Sequence, residues 1–282
     1  MNRTAVKRIL IPVALCAVLL TRCSCDFFGT TGALLISEDD EIKLGEAFDA
    51  QLRDSTATYP VFKADTQDKA VFAAYVDSLA HAILDKIPAD GKPGYPFHYT
   101  IIDKDVENAF AVPGGYVYIY TGIIKKMRNE AELAGVLGHE TAHVTRHHYR
   151  DAMAKDAGLS LILQALLGDN NGELVKLVAG SFSTLAGLKV SQANESEADF
   201  YGTKYVGAIG RNPLGIATLF SRFPDEAGPA AWLSTHPAPQ TRVQDVTDEV
   251  NGEASLKALA ADSANTDFTG RFELNTKVIP KS

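Results

Sequence analysis

Two histidines four residues apart, with a glutamate directly after the first, constrain this chain more than any other feature. Residues 138–143 read Gly-His-Glu-Thr-Ala-His. On a helix, positions i and i+4 share a face, so His139 and His143 can aim at one cation, while Glu140 lies one residue round, beside the ion. From there a carboxylate can take a proton from a water that attacks a carbonyl. Two neutral imidazoles and a carboxylate suit zinc, with the fourth place left for water. The motif needs a helix, and Leu133, Val136, Leu137, Ala142 and Val144 supply its apolar positions, which predicts a helix over Glu130 to Tyr149.

His147 continues the i+4 ladder, and His148 follows it. Three ligands on one straight helix would spread over about 12 Å of rise, too far for one tetrahedral ion, so both are read as surface or core-edge histidines. The third ligand must come from elsewhere. The best candidate is Glu195 in Asn194-Glu195-Ser196-Glu197-Ala198-Asp199. Asp199, one turn later on the same face, could accept the N–H of a ligating histidine and hold its ring. Glu197 points off that face and is expected to be solvated. A further pair is His236, in a His-Pro turn, and Arg242 six residues on. Together they could stabilise the oxyanion formed when water adds to a peptide carbonyl; a turn histidine with a surface arginine explains the spacing equally well.

Around these residues the pattern is mostly helical with a small sheet, an α+β class. Helices are expected over 38–54, where Ser37 and a run of acids mark the start, and over Gln67 to Lys86. Phe97 to Ile102 and Tyr116 to Tyr120 read as two strands separated by the turn Pro113-Gly114-Gly115. Further helices fit Ser160 to Leu167, Glu173 to Leu188, Gln192 to Val206, Pro213 to Phe223 and Pro239 to Val250. The 51 residues between His143 and Glu195 are long for plain loop, so the first two of those helices are expected to form a lid over a cleft. From Asn251 the chain is a mixed tail, expected to order only in part.

The N-terminus carries a different signal. Arg3, Lys7 and Arg8 precede a twelve-residue apolar run, Ile9 to Leu20, which reads as an export signal rather than a span of ~20 apolar residues. Leu20-Thr21-Arg22-Cys23-Ser24-Cys25 resembles a bacterial lipoprotein signal, with Cys23 or Cys25 as the lipidated residue. This divides the chain into a signal segment (1–25), a linker (26–36), a body that carries the metal motif (37–250) and a tail (251–282). No cysteine follows Cys25, which excludes a disulfide framework, a zinc finger or a cysteine nucleophile in the body. Lys plus Arg total 27 against 35 for Asp plus Glu, a net charge of -8, which argues against nucleic acid as partner.

Several motifs in order carry a resemblance: Glu41 to Gly45, Asn108-Ala109-Phe110-Ala111-Val112-Pro113-Gly114-Gly115-Tyr116, Thr121-Gly122, Gly138 to His143, Glu195 to Gly202, and His236-Pro237 with Arg242. The chain resembles zinc metalloendopeptidases of metallopeptidase family forty-eight, the HtpX/CaaX-prenyl-protease superfamily, in its small exported LoiP/BepA-like branch. The resemblance spans about residues 37 to 250. It implies a predominantly helical zincin-type domain whose small sheet lends an edge strand to the active-site cleft. It implies one Zn2+ per chain held by His139, His143 and Glu195, Glu140 as catalytic base, and Asp199 behind the ligands. Asn108, Ala109, Phe110, Ala111, Gly114, Gly115 and Tyr116 would pair with extended substrate, since backbone pairing accepts many sequences. In some exported relatives the histidine matching His236 is thought to occupy or guard the open metal position. Gln192 departs from the family, which has arginine there.

The expectation is an exported, lipid-anchored endopeptidase acting on unfolded or extended envelope proteins in the periplasm. The rival is an envelope chaperone or assembly factor on the same scaffold, with latent proteolysis. A zinc amidase of the cell wall has no supporting motif.

Overall fold

The computed structural model describes residues 36–156, 190–223, 236 and 239–279. The signal segment, most of the linker, and the two helices expected to form a lid lie outside the described residues. Helix α1 (Glu38–Asp54) starts where the acids predicted. The Ser37 hydroxyl accepts from the Asp40 N–H at 3.2 Å, and the Asp40 carboxylate accepts from the Ser37 N–H at 3.1 Å, a reciprocal cap. Helix α2 (Gln67–Lys86) buries Phe72, Val76, Leu79 and Ile83 along one face.

The sheet corrects the sequence reading. Three strands form, β1 (His98–Ile102), β2 (Ala109–Val112) and β3 (Tyr116–Tyr120), in the order β1-β3-β2. The turn Pro113-Gly114-Gly115 joins β2 to β3, while β1 and β3 pair in parallel. Both turn glycines have positive φ (82° and 88°), which L side chains adopt only with strain. The four residues of β2 gave no period-two signal because all of them are buried. Side chains alternate across the sheet: Ile101, Ala109 and Ile119 join one core cluster, and Ile102, Phe110 and Tyr118 join another with α1. In the second, Phe110 stacks on Tyr118 at 4.9 Å and meets Phe48 edge-on at 5.9 Å.

After the short α3 (Thr121–Lys126) comes α4 (Glu130–Thr145), every residue of which is buried. It ends four residues earlier than the periodicity suggests. Arg146 and His147 turn the chain, His147 with φ 56°, and α5 (His148–Asp156) sets off in a new direction. Helix α6 (Gln192–Ala208) packs on α4 through glycines: a Cβ on Gly202 would lie 2.9 Å from the His139 nitrogen, and one on Gly138 3.1 Å from the Gly202 carbonyl. Only glycine at both places lets the two backbones come this close, and that closeness sets Glu195 against the histidines. Helix α7 (Gly215–Phe220) packs on α4, and α8 (Pro239–Gly252) packs on α7 and α6.

The segment after Val250 packs into the same core. It forms α9 (Ala254–Ala261), α10 (Ser263–Thr266) and α11 (Thr269–Thr276), and Leu256, Phe272 and Ile279 enter the core beside Phe72, Val76 and Tyr205. Among the described residues, no helix is long and apolar enough to cross a membrane. The architecture is α+β, predominantly helical, with one small mixed sheet.

Candidate metal centre

Helix α4 supplies His139, Glu140 and His143, helix α6 supplies Glu195 and Asp199, and His236 comes from the segment before α8; all are buried. One nitrogen or oxygen from each of His139, His143, Glu195 and His236 lies within 4.8 Å of the others. The separations are even. His139 Nε2 stands 3.0 Å from His143 Nε2, 3.6 Å from Glu195 Oε2 and 3.4 Å from His236 Nδ1. His143 Nε2 is 3.5 Å from Glu195 Oε1, and His236 Nδ1 is 3.0 Å from that carboxylate. Four donors held at 2.0–2.1 Å from a tetrahedral ion stand roughly 3.3 Å apart, so the donor set fits zinc in both chemistry and spacing.

The other nitrogen of each α4 ligand is also accounted for. His139 Nδ1 meets Asp199 at 2.9 Å, and Asp199 is gripped by Arg242 through two bonds of 2.6 and 2.7 Å. His143 Nδ1 meets His148 Nδ1 at 3.0 Å. The Nε2 lone pairs of both rings are thereby directed into the donor cluster. Glu140 lies with Oε1 3.5 Å from His236 Nε2.

The electrostatics follow from this burial. Burial alone would raise Glu195, but His236 and Arg242 hold its carboxyl below the ordinary value. Asp199 is likewise opposed by burial, yet the Arg242 guanidinium takes it down to about 2. Burial and the neighbouring imidazoles push His143 well below its usual value, which keeps it neutral and available as a ligand. His236 moves the other way: burial lowers it, but Glu195 and Glu140 more than compensate.

The sequence candidates fall into place unevenly. His139, His143, Glu195, Glu140 and Asp199 converge. His236 arrives as a fourth donor, with Nδ1 in the cluster. Arg242 gives its guanidinium to Asp199 and, at 3.0 Å, to Glu195, and lies 4.3 Å over the Phe220 ring. Strand β2 runs along α4 at the sheet edge. Tyr120 donates to the Asn108 carbonyl at 3.0 Å, which by alternation aims the main-chain groups of Ala109 and Ala111 away from β3. Asn108 to Ala111 are buried, Gly114 and Gly115 form the turn, and Tyr116 is half-buried beyond it.

Two expectations change. Of the two places expected for His148, surface or core edge, the surface one fails: it is 2% exposed, and it touches a ligand. Glu197 is not simply solvated: Oε1 accepts from Arg146 at 2.7 Å and Oε2 meets His148 Nε2 at 3.2 Å. The His148 reading followed from extending α4 straight through His147, and the Glu197 reading from its place off the Glu195 face. His147 itself turns to Glu41 at 2.8 Å, as its exclusion from the ligand set requires. Tyr149 escaped the sequence reading as well; it is buried, its ring 5.2 Å from that of His143. Its signal in the sequence was only its place after the two histidines.

The chain is similar to known peptidases. The model of peptidase family M48 matches residues 72–250. The chain is 29% identical over 241 residues to the beta-barrel assembly-enhancing protease of Escherichia coli, covering 79% of this chain and 46% of that one. It is 29% identical over 245 residues to the putative beta-barrel assembly-enhancing protease of Vibrio cholerae, covering 81% and 48%. With the metalloprotease LoiP of Escherichia coli the identity is 29% over 188 residues, covering 64% and 72%. The chain thus spans about half the length of the first two.

Proposed function

This chain belongs to peptidase family M48, and on that premise we propose that it is a zinc-dependent endopeptidase of the bacterial envelope that cleaves extended segments of misfolded or unassembled proteins. The observation that carries the reading is the buried set of donors 3.0–3.6 Å apart, with the far nitrogen of each α4 ligand already held. His139, His143 and Glu195 would hold the ion. When bound, zinc supplies Lewis acidity, polarising a scissile carbonyl and making a water acidic enough to attack at neutral pH.

The remaining work belongs to the protein. Glu140 takes the proton of the attacking water and delivers it to the departing amine. Asp199 and Arg242 fix the ring of His139. Ala109 and Ala111 offer outward main-chain groups to an extended substrate, a recognition that reads backbone rather than sequence. His236 has its Nδ1 among the four donors, in the place an attacking water needs, and we read this arrangement as a closed state that residue 236 must leave before turnover.

The export-type N-terminus and the names of the relatives support an envelope location, with a lipid on Cys23 or Cys25 as tether. Glu140→Gln should keep zinc, by elemental analysis, and lose cleavage of an unfolded casein-type chain by roughly 10²–10⁴-fold. Undiminished cleavage would end the proposal. His236→Ala should raise the rate; a fall would make His236 a catalytic group instead. Radiolabelled palmitate should enter the wild-type protein and not a Cys23→Ser/Cys25→Ser double variant. The rival, a chaperone on this scaffold, gains only if Glu140→Gln rescues an envelope defect.

A further inference from the structure

The two ligand histidines of α4 are supported by unequal means. His139 leans directly on Asp199, which is 2% exposed and locked by Arg242. Among the described residues, no carboxylate reaches His143 Nδ1 directly; His148 Nδ1 fills that place at 3.0 Å. We propose that His148 and Glu197 form a relay that orients His143 as a metal ligand, so that the Glu-x-Glu-x-Asp run on α6 serves the centre with all three of its acids. The proposal rests on the zinc reading of the site above.

Proton placement makes the chain self-consistent. A ligating His143 must offer a bare Nε2, so its single proton sits on Nδ1. That proton can only be donated to His148 Nδ1, which leaves the His148 proton on Nε2, 3.2 Å from Glu197 Oε2. The other Glu197 oxygen accepts from Arg146 at 2.7 Å, which fixes the carboxylate. One set of tautomers satisfies all three residues.

The backbone is bent to make this possible. In a continuing helix, residue 148 would lie five residues past His143, about 140° round the axis and facing away. The break at His147, a non-glycine residue at φ 56°, instead brings the two rings to 5.0 Å. A left-handed histidine is a conformation that must be held from outside. Here the buried Glu41 carboxylate lies 2.8 Å from His147 Nδ1, and Glu41 is itself fixed by the Tyr95 hydroxyl at 2.8 Å and Arg150 at 3.4 Å. The Glu41 of the N-terminal motif thus packs against the kink that presents His148 to the ligand.

The test is zinc affinity of the full chain, measured by competition with a chromogenic chelator, together with the visible absorption of the cobalt-substituted protein. Glu197→Gln and His148→Phe should each weaken zinc about 10–100-fold and alter the cobalt bands. His148→Asn, which keeps an acceptor where Nδ1 lies, should recover part of the loss. Lys204→Ala, which removes a surface ion pair from the same helix, should leave affinity within twofold of wild type. If Glu197→Gln binds zinc as wild type does, while Glu195→Gln loses it, the relay is wrong and the centre stands. If wild type itself takes up no zinc, both fall. Glu197 is part-exposed, so its variant decides for or against the relay even if His148→Phe does not fold.

Discussion

Helix α4 buries charge at both of its ends, and the two ends solve the problem differently. At the N-terminal end, Glu132 is clamped by Arg222 through bonds of 2.7 and 2.6 Å, and Glu130 is met by Arg211 at 2.6 Å and Arg271 at 3.2 Å. Each carboxylate there has a permanent cation, and both also lie at the positive end of the helix dipole. Two turns later Glu140, Glu195 and Asp199 crowd together with one guanidinium among the described residues, that of Arg242. Burial is equal, but the second end is short of fixed positive charge and offers lone pairs instead. The lesson is that burial of acids does not mark a functional site; the mismatch between acids and permanent cations does.

That contrast can be broken in several ways. The largest effect should come from Glu195→Gln, which removes the carboxylate donor: zinc content after dialysis against a weak chelator should fall to background, and cleavage with it. Zinc retained in full would mean that the ion sits elsewhere. At the opposite end, Arg222→Ala strands a buried carboxylate and should cost about 3–5 kcal/mol in urea unfolding, while the folded fraction still binds one zinc. Loss of zinc there would erase the distinction between the two ends.

A smaller effect is expected from acid. Because Asp199 is held at about 2 against an ordinary value of about 3.9, its contribution is complete above the higher figure. It disappears as pH falls toward the lower one, so the metal-free protein should lose roughly 2–3 kcal/mol over that window, and Asp199→Asn should flatten that part of the profile. An identical profile in both proteins would rule out the Arg242 grip. Least of all, Asn129→Ala removes the side chain that caps α4 at the Glu132 amide, 2.9 Å away, and should cost about 1 kcal/mol without touching zinc.

How much of this was legible in residues alone varies with range. His139 and His143 could be paired from spacing because a helix turn fixes them locally, and Glu195 with Asp199 shared a face for the same reason. Ser37 and the acids after it marked the start of α1, since capping is a contact between near neighbours. The third strand was hidden from periodicity, and only the resemblance pointed to it, because β2 is buried throughout and its four residues show no alternation. The C-terminal helices were hidden too: Phe272 enters the core only through contact with distant α2 and α4.

Sequence by itself therefore determined the kinds of atoms available to the centre, the helices that carry them and the general class of chemistry. Tertiary structure decided what those atoms meet. Gly138 against Gly202 brings α6 close enough for Glu195 to join two histidines more than fifty positions away, and the left-handed turn at His147, packed beside Glu41, lets His148 face inward. Local rules describe one turn of chain at a time, whereas a close helix crossing or a stabilised kink depends on partners that no local pattern contains.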